Sequence, residues 1–281
     1  MLGKNIKEIR MNKGLSQEYV IESLMTQSAY SKFELGKSEI RASVLINILS
    51  KLDMSLEELL YITNDYKFMA KEELVRSFFE IPSIGLTNLE KILNKVELYL
   101  NSHSDDTIQN IYYLCKSYII LIKTNDFEQA SLFASKIWKK LSKRNQFYVI
   151  DLYFLNAILF MFPLDVIFNL RDLMEKSIAQ YNGLFKLQKI QININLNIAL
   201  LLMEKHRFEE ALNELETIRD VLKEEKAYEQ LGIYYIRKAL CLNKLNQEWI
   251  PLAEKGKLLL SAIEEFDLLK RAEQEIERWG N

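Results

Sequence analysis

Five residues near the start of the chain, Gln17, Gln27, Ser28, Ser31 and Lys32, are of the types that contact nucleic acid. A glutamine amide can pair bidentately with adenine, a lysine suits guanine or phosphate, and small hydroxyls reach base edges or the backbone. Gln17 opens a short helical pattern, where its amide and the neighbouring backbone N–H groups can meet a phosphate. Gln27 and Ser28 open the next helical pattern, and Ser31 and Lys32 lie one turn on. Lys37 and Arg41 follow, expected on the DNA backbone.

A second group carries amides in an unusual setting. The stretch Ile190-Gln191-Ile192-Asn193-Ile194-Asn195-Leu196-Asn197 repeats Asn inside a helical pattern, although Asn is a poor helix former. Asn193 and Asn197, four apart, can grip the N–H and C=O groups of an extended peptide, or the amides can bond between neighbouring helices. Tyr153, Asn156, Tyr234 and Arg237 join them as candidate peptide contacts, with Tyr235 and Lys238 beside them. Enzyme chemistry has no matching pattern. Phosphate-binding glycine loops, dinucleotide fingerprints and nucleophile elbows are absent, and two histidines, His103 and His206, have no spacing for a metal or a triad. No catalytic residue, cofactor or metal is expected.

The elements that must position the first group are short and well signalled. Ser16 is a good N-cap for a helix carrying Val20 and Leu24 on one face. Thr26, Gln27 and Ser28 start a second helix, which Tyr30 and Phe33 bury and Gly36 closes. Before them, Ile6 and Ile9 share a helical face ringed by Lys4, Lys7, Arg10 and Lys13. After them, Val44, Leu45, Ile48, Leu49 and Leu52 fall at helical spacing, and Ser55-Leu56-Glu57-Glu58 is a capping box for a fifth helix.

Leu15-Ser16-Gln17-Glu18 followed by Ser28-x-x-Ser31-Lys32-Phe33-Glu34-x-Gly36 resembles the phage-repressor or XRE type of helix-turn-helix. The wording from Met25 to Ile40 resembles its Rgg/GadR/MutR branch. Ile21 and Met25 depart from the general motif, which has a small residue in the first helix and a glycine in the turn. The resemblance implies a pairing of Arg10 with Glu34. It also implies a homodimer that binds two half-sites of double-stranded DNA, with C-terminal repeats that bind a short signalling peptide.

Composition agrees with a helical protein. Only three prolines and eight glycines occur in 281 residues, too little turn chemistry for a sheet-rich fold. Residues 1–51 hold eight Lys or Arg against five acids, a balance of +3 that leaves −5 for the remainder, so the basic charge sits with the reader. Cys115 and Cys241 fall inside apolar helical patterns, as buried free thiols of a reduced compartment would. The N-terminus lacks the apolar region of a signal peptide and no window reaches the ~20 apolar residues that span a bilayer, so a cytoplasmic protein off the membrane is expected.

The expected fold is all-α: an XRE-type helix-turn-helix domain over 1–65, a linker helix and break over 66–85, and a TPR-like right-handed helical-repeat domain over 86–281. Ile81-Pro82-Ser83-Ile84-Gly85 is the clearest boundary and Thr87-Asn88-Leu89-Glu90 reads as a capping box. The later helices are expected at 87–101, 105–123, 126–142, 146–161, 164–181, 187–205, 208–223, 227–245, 250–265 and 268–279. Asp126-Phe127-Glu128-Gln129-Ala130 and Arg207-Phe208-Glu209-Glu210-Ala211 are one phrase repeated 81 residues apart, two periods of about 40. Leu258, Leu259, Ile263, Phe266 and Leu269 are more apolar than a terminal cap needs and suit a dimer face. The sequence therefore predicts a Rgg-type regulator that a short peptide controls. The competing prediction is a regulator whose repeats bind a protein partner.

Overall fold

The computed structural model describes residues 2–80, 85–181, 183–184 and 187–280, and every described element is helical. The expected break at 81–84 lies outside the described residues. Two compact units divide between Glu73 and Leu74.

The first unit contains α1 (Leu2–Asn12), α2 (Gln17–Ile21), α3 (Gln27–Glu34), α4 (Ala42–Lys51) and α5 (Leu56–Thr63). Ile6, Val20, Tyr30, Ile48, Leu52 and Leu59 are fully buried and form one core with Ile21, Phe33 and Leu49. Ser16 caps α2, its hydroxyl accepting from the Tyr19 N–H at 3.1 Å. Helix α2 is only five residues long, so Leu24 belongs to the following turn and packs on the core from there. In that turn Ser23 takes the left-handed backbone at φ +66°, two residues before Met25, where the general motif has its glycine. Thr26 caps α3, accepting from the Ala29 N–H at 3.3 Å. Gly36 ends it at φ +71°: its N–H reaches the Phe33 carbonyl at 2.8 Å and that of Lys37 reaches Lys32 at 2.9 Å, which satisfies two carbonyls left over by the helix. Ser55 caps α5 through the Glu58 N–H at 3.0 Å.

Helix α6 (Ala70–Phe79) runs across the division between the units. The expected linker over 66–85 is thus in part repeat body, because Leu74 and Phe78 are buried in the second unit's core. That unit continues with α7 (Leu86–Leu100), α8 (Asp106–Thr124), α9 (Phe127–Leu141), α10 (Val149–Ile158), a 3₁₀ turn over Leu159–Met161, α11 (Leu164–Gln180) and α12 (Gln188–Glu204). It ends with α13 (Phe208–Glu216), α14 (Arg219–Glu224), α15 (Tyr228–Lys244), α16 (Ile250–Ala262) and α17 (Phe266–Trp279). Chain neighbours pack on one another along the array, α7 on α8, α8 on α9, α12 on α13 and α15 on α16, as stacked repeats do.

The repeated phrase marks two close packings. Ala130 and Ala211 have no exposed surface, and the Ser117 hydroxyl of α8 donates to the Ala130 carbonyl of α9 at 2.9 Å. Asp126 caps α9 through the Gln129 N–H at 2.9 Å, whereas Arg207 in the second copy gives no side-chain cap and pairs with Glu210 instead. Two expectations fail here. The box at Thr87 does not form, because α7 starts at Leu86 with Gly85 as its cap and Glu90 bonds to Lys123 at 2.7 Å. The single helix over 208–223 is interrupted at Thr217 and Ile218. The Thr217 hydroxyl donates back to the Glu214 carbonyl at 2.7 Å and accepts from Asn195 at 3.0 Å, an arrangement that bends a helix.

Candidate nucleic-acid interface and repeat-body cavity

In the first unit the recognition helix α3 is anchored from behind. Tyr30 and Phe33 face the core, their ring centroids 6.1 Å apart, while Gln27, Ser28 and Lys32 are exposed and Ser31 is half-buried. Lys37 and Arg41 are exposed on the segment that follows. At the C-terminal end of α3, Glu34 accepts from Arg10 Nε at 2.6 Å and Nη2 at 2.9 Å, and Arg10 Nη1 reaches the Leu15 carbonyl at 2.8 Å. Burial works against the Glu34 carboxylate, but Arg10 and Gln17 together outweigh it and hold its pKa below the usual value. The hydrogen bond to Glu34 in turn raises the pKa of Arg10.

Gln17 differs from its expected free presentation. Its Nε2 donates to Glu34 Oε2 at 2.7 Å, which leaves the carbonyl end of the amide and the first two backbone N–H groups of α2, those of Gln17 and Glu18, for any outside contact. The end of α2 is tied to α4 by Lys51, which bonds to Glu22 and lies 5.4 Å from the centre of the Tyr19 ring.

The second unit contains a half-open cavity of about 1770 Å³. Helix α12 lines it along its whole length through Lys189, Asn193, Asn197, Leu200 and Glu204, spaced by four, four, three and four residues. That stripe spans ~23 Å at 1.5 Å per residue. Tyr153 and Asn156 of α10 and Arg237 of α15 line the same space. The Asn-rich segment thus divides by face: Asn193 and Asn197 are half-buried on the cavity. Asn195 is buried on the other side, where Nδ2 donates to Glu214 at 2.9 Å and to Thr217 at 3.0 Å.

Two expected cavity residues have other duties. Tyr234 is 1 % exposed and does not line the cavity; its ring packs in the core and its hydroxyl lies 3.5 Å from both Glu216 and Lys238. Arg237 borders the cavity but is spent as a brace. Its Nε and Nη2 donate to Glu275 of α17 at 3.0 and 2.7 Å, and Nη1 donates to the Leu196 carbonyl of α12 at 2.8 Å. Both positions lie on an apolar helix whose packing on several sides, not its spacing, decides which faces are buried.

The sequence reading passed over Lys189, Glu229 and Arg271, and over Phe78 and Phe79, all of which line the cavity. The four-residue phase of Asn193 and Asn197, continued backwards, reaches Lys189. Burial and the nearby Glu265 carboxylate raise the pKa of Glu229. His103 is exposed and stacks on Tyr99, and His206 occupies a turn at φ +58°; no group of His, Cys, Asp or Glu among the described residues is arranged to hold a metal. Cys115 and Cys241 are free and buried, their thiols pushed up to about 12 by desolvation. No helix among the described residues is long and apolar enough to cross a membrane.

An exposed polar edge on a helix anchored from behind, within a five-helix unit, defines a helix-turn-helix DNA-binding domain, and the helix-turn-helix family model HTH_3 matches residues 6–59. The uncharacterized HTH-type transcriptional regulator YqaE of Bacillus subtilis is 30% identical over 112 residues, 40% of this chain and 83% of that protein. The chain belongs to the HTH-type transcriptional regulators, which bind DNA through this domain and are not enzymes. Over its full length the fold is that of two solved regulators. The Streptococcus dysgalactiae SHP pheromone receptor Rgg2 matches with a TM-score of 0.70 at 17% identity, covering 98% of this chain and 99% of the other. Bacillus thuringiensis PlcR, solved with the peptide PapR7 and DNA, matches with a TM-score of 0.66 at 21% identity, covering 98% of each.

Proposed function

We propose that this regulator is cytoplasmic, acts as a homodimer on two DNA half-sites, and changes its promoter binding when a short peptide enters the repeat-body cavity. The observation that carries this reading is the stripe of Lys189, Asn193 and Asn197 facing a space of about 1770 Å³, with Asn156 bordering it from another helix. Amides on two elements suit a ligand whose main chain offers N–H and C=O groups along its length. An extended peptide advances ~3.3 Å per residue, so the length of α12 accommodates about seven residues. A pheromone receptor and a peptide-bound regulator share the fold, which supports the same use here.

On the DNA side, the proposed contacts are Gln27 and Ser28 at base edges, Ser31 and Lys32 one turn on, and Lys37 and Arg41 on phosphate. Gln17 would act through its backbone N–H and its amide oxygen. A single small domain contacts few bases, so a second copy held alongside raises the effective concentration of the reader. Control follows if the peptide binds one arrangement of the dimer better than another. Helix α6 starts in the first unit and its last turn lines the cavity, so the chain itself joins the ligand site to the reader. Calorimetry of the purified protein against pools of synthetic heptapeptides tests the reading. Saturable binding that alters operator affinity supports it; no heat with any pool, together with capture of a large protein partner, favours the competing regulator.

A further inference from the structure

One wall of the cavity is aromatic. Phe78 and Phe79 of α6, Tyr118 of α8, Tyr153 of α10 and Phe160 of the 3₁₀ turn all line it. Their rings form a connected lattice. Phe79 lies 5.0 Å from Tyr153 and 5.0 Å from Phe78, Phe78 stacks on Tyr118 at 6.4 Å with 4° between planes, and Tyr118 lies 6.2 Å from Phe160. The Tyr118 hydroxyl is already committed, donating to the Ala157 carbonyl at 2.7 Å, so the face it offers is its ring. Four of the five side chains pack against the body's core and still stay half-buried, each keeping part of its surface uncovered. Apolar surface left facing a cavity of this size is a site for another apolar group to cover.

Beside the lattice, one turn along α10 from Tyr153, Asn156 keeps its Oδ1 buried without any hydrogen-bond partner. A buried amide oxygen with no donor is an unfavourable arrangement, relieved when a donor arrives. Asn156 itself lines the cavity.

We infer that this wall is the side-chain selector of the peptide site: it takes one bulky apolar or aromatic side chain of the ligand, while Asn156 accepts the N–H beside it. The inference rests on the peptide reading above and adds which peptides qualify. Elsewhere the cavity is lined by separate aliphatic side chains such as Leu200, Ile233 and Leu268, and by the charged Lys189 and Glu229. The five rings are joined into one wall, so the selector acts on one ligand side chain.

The test is affinity selection by the full-length protein from a random synthetic heptapeptide pool, with the retained peptides sequenced by mass spectrometry. The selector predicts enrichment of Phe, Tyr, Trp, Leu or Met at a single position, on the order of tenfold over the input, from the worth of burying such a side chain. Tyr153→Ala should return that position toward the input composition, with Phe79→Ala as the second variant if the first melts early. Asn156→Leu should lower total retention and leave the preference in place. Retained peptides with no such enrichment, with Lys or Arg enriched at that position, or with a preference that survives both aromatic variants, overturn the selector and leave the peptide reading standing. A pool from which nothing is retained overturns both.

Discussion

Gly3 of α1 lies against the carbonyl of Phe33 of α3, so close that a Cβ on Gly3 would sit 1.9 Å from the carbonyl oxygen. The obstacle is backbone, and it belongs to the recognition helix. Gly3→Ala must therefore displace α1 or α3 rather than a flexible side chain. We expect a loss of ~1–3 kcal/mol in the stability of the first unit, the usual cost of overpacking, together with weaker operator binding. Chemical denaturation followed by a gel shift measures both; a variant with unchanged midpoint and unchanged affinity would refute the close approach.

Arg10 and Glu34 form a buried pair, and removing one partner leaves the other charge stranded. Arg10→Met is expected to cost about 3–5 kcal/mol. The double replacement Arg10→Met with Glu34→Leu should cost much less than the two singles added, because the stranded charge is gone and the methionine can fill the space. Additive losses in urea denaturation would show that the two residues do not act as a pair.

The same pair gives the first unit a pH dependence of known sign. The Glu34 pKa is held below its ordinary 4.5, so the unfolded state takes up a proton first as the pH falls. Its contribution is complete above the ordinary carboxylate range and drains away as the pH drops through the lowered value. Wild-type protein should lose stability below about pH 4.5 more steeply than Glu34→Gln. Parallel acid titrations of the two, followed by circular dichroism, would contradict this.

How far the sequence led depends on what each residue's signal was. Ser16, Tyr30, Phe33 and Gly36 were legible because caps, buried aromatics and a left-handed glycine each have a local physical signature. The short α2 was not: Leu24 has the spacing to continue it, and the Ser23 backbone that ends it carries no glycine to announce the turn. Thr87 misled for a related reason, since Gly85, two residues earlier, already serves as the cap. The interruption at Thr217 comes from Asn195, 22 residues away, and no local pattern contains that bond. In the cavity, Asn193 and Asn197 could be picked out by spacing alone. Tyr234 could not be told from Tyr153, because which face of an apolar helix is buried is decided by the helices packed on both sides of it.

The exposed edge of α3 should separate specificity from general affinity. Gln27→Ala is expected to lose ~1–3 kcal/mol of preference for the operator over an altered site, the worth of a bidentate base contact. Lys37→Ala and Arg41→Ala should weaken binding to all sequences alike and each reduce the dependence on salt by about one counterion. Gel shifts over a range of potassium chloride read both quantities. A salt slope untouched by either replacement would remove those two residues from the backbone contacts.

The three asparagines of α12 offer a dissociation between folding and response. Asn195 is itself buried and bonds to Glu214 and Thr217, while Glu214 also accepts from Arg171 at 3.2 Å, so Asn195→Leu removes two hydrogen bonds between α12 and the end of α13 and leaves Glu214 its arginine. That should destabilise the repeat body by ~1–3 kcal/mol. Asn193 and Asn197 face open space instead, so replacing both by Ala should shift stability by no more than about 0.5 kcal/mol while abolishing the change in operator binding on adding peptide. Thermal melts and a peptide-dependent gel shift on the same preparations compare the two effects. If the double variant still responds to peptide, the amides of α12 do not hold the ligand; if Asn195→Leu melts like the wild type, the bonds to α13 contribute nothing to the body's stability.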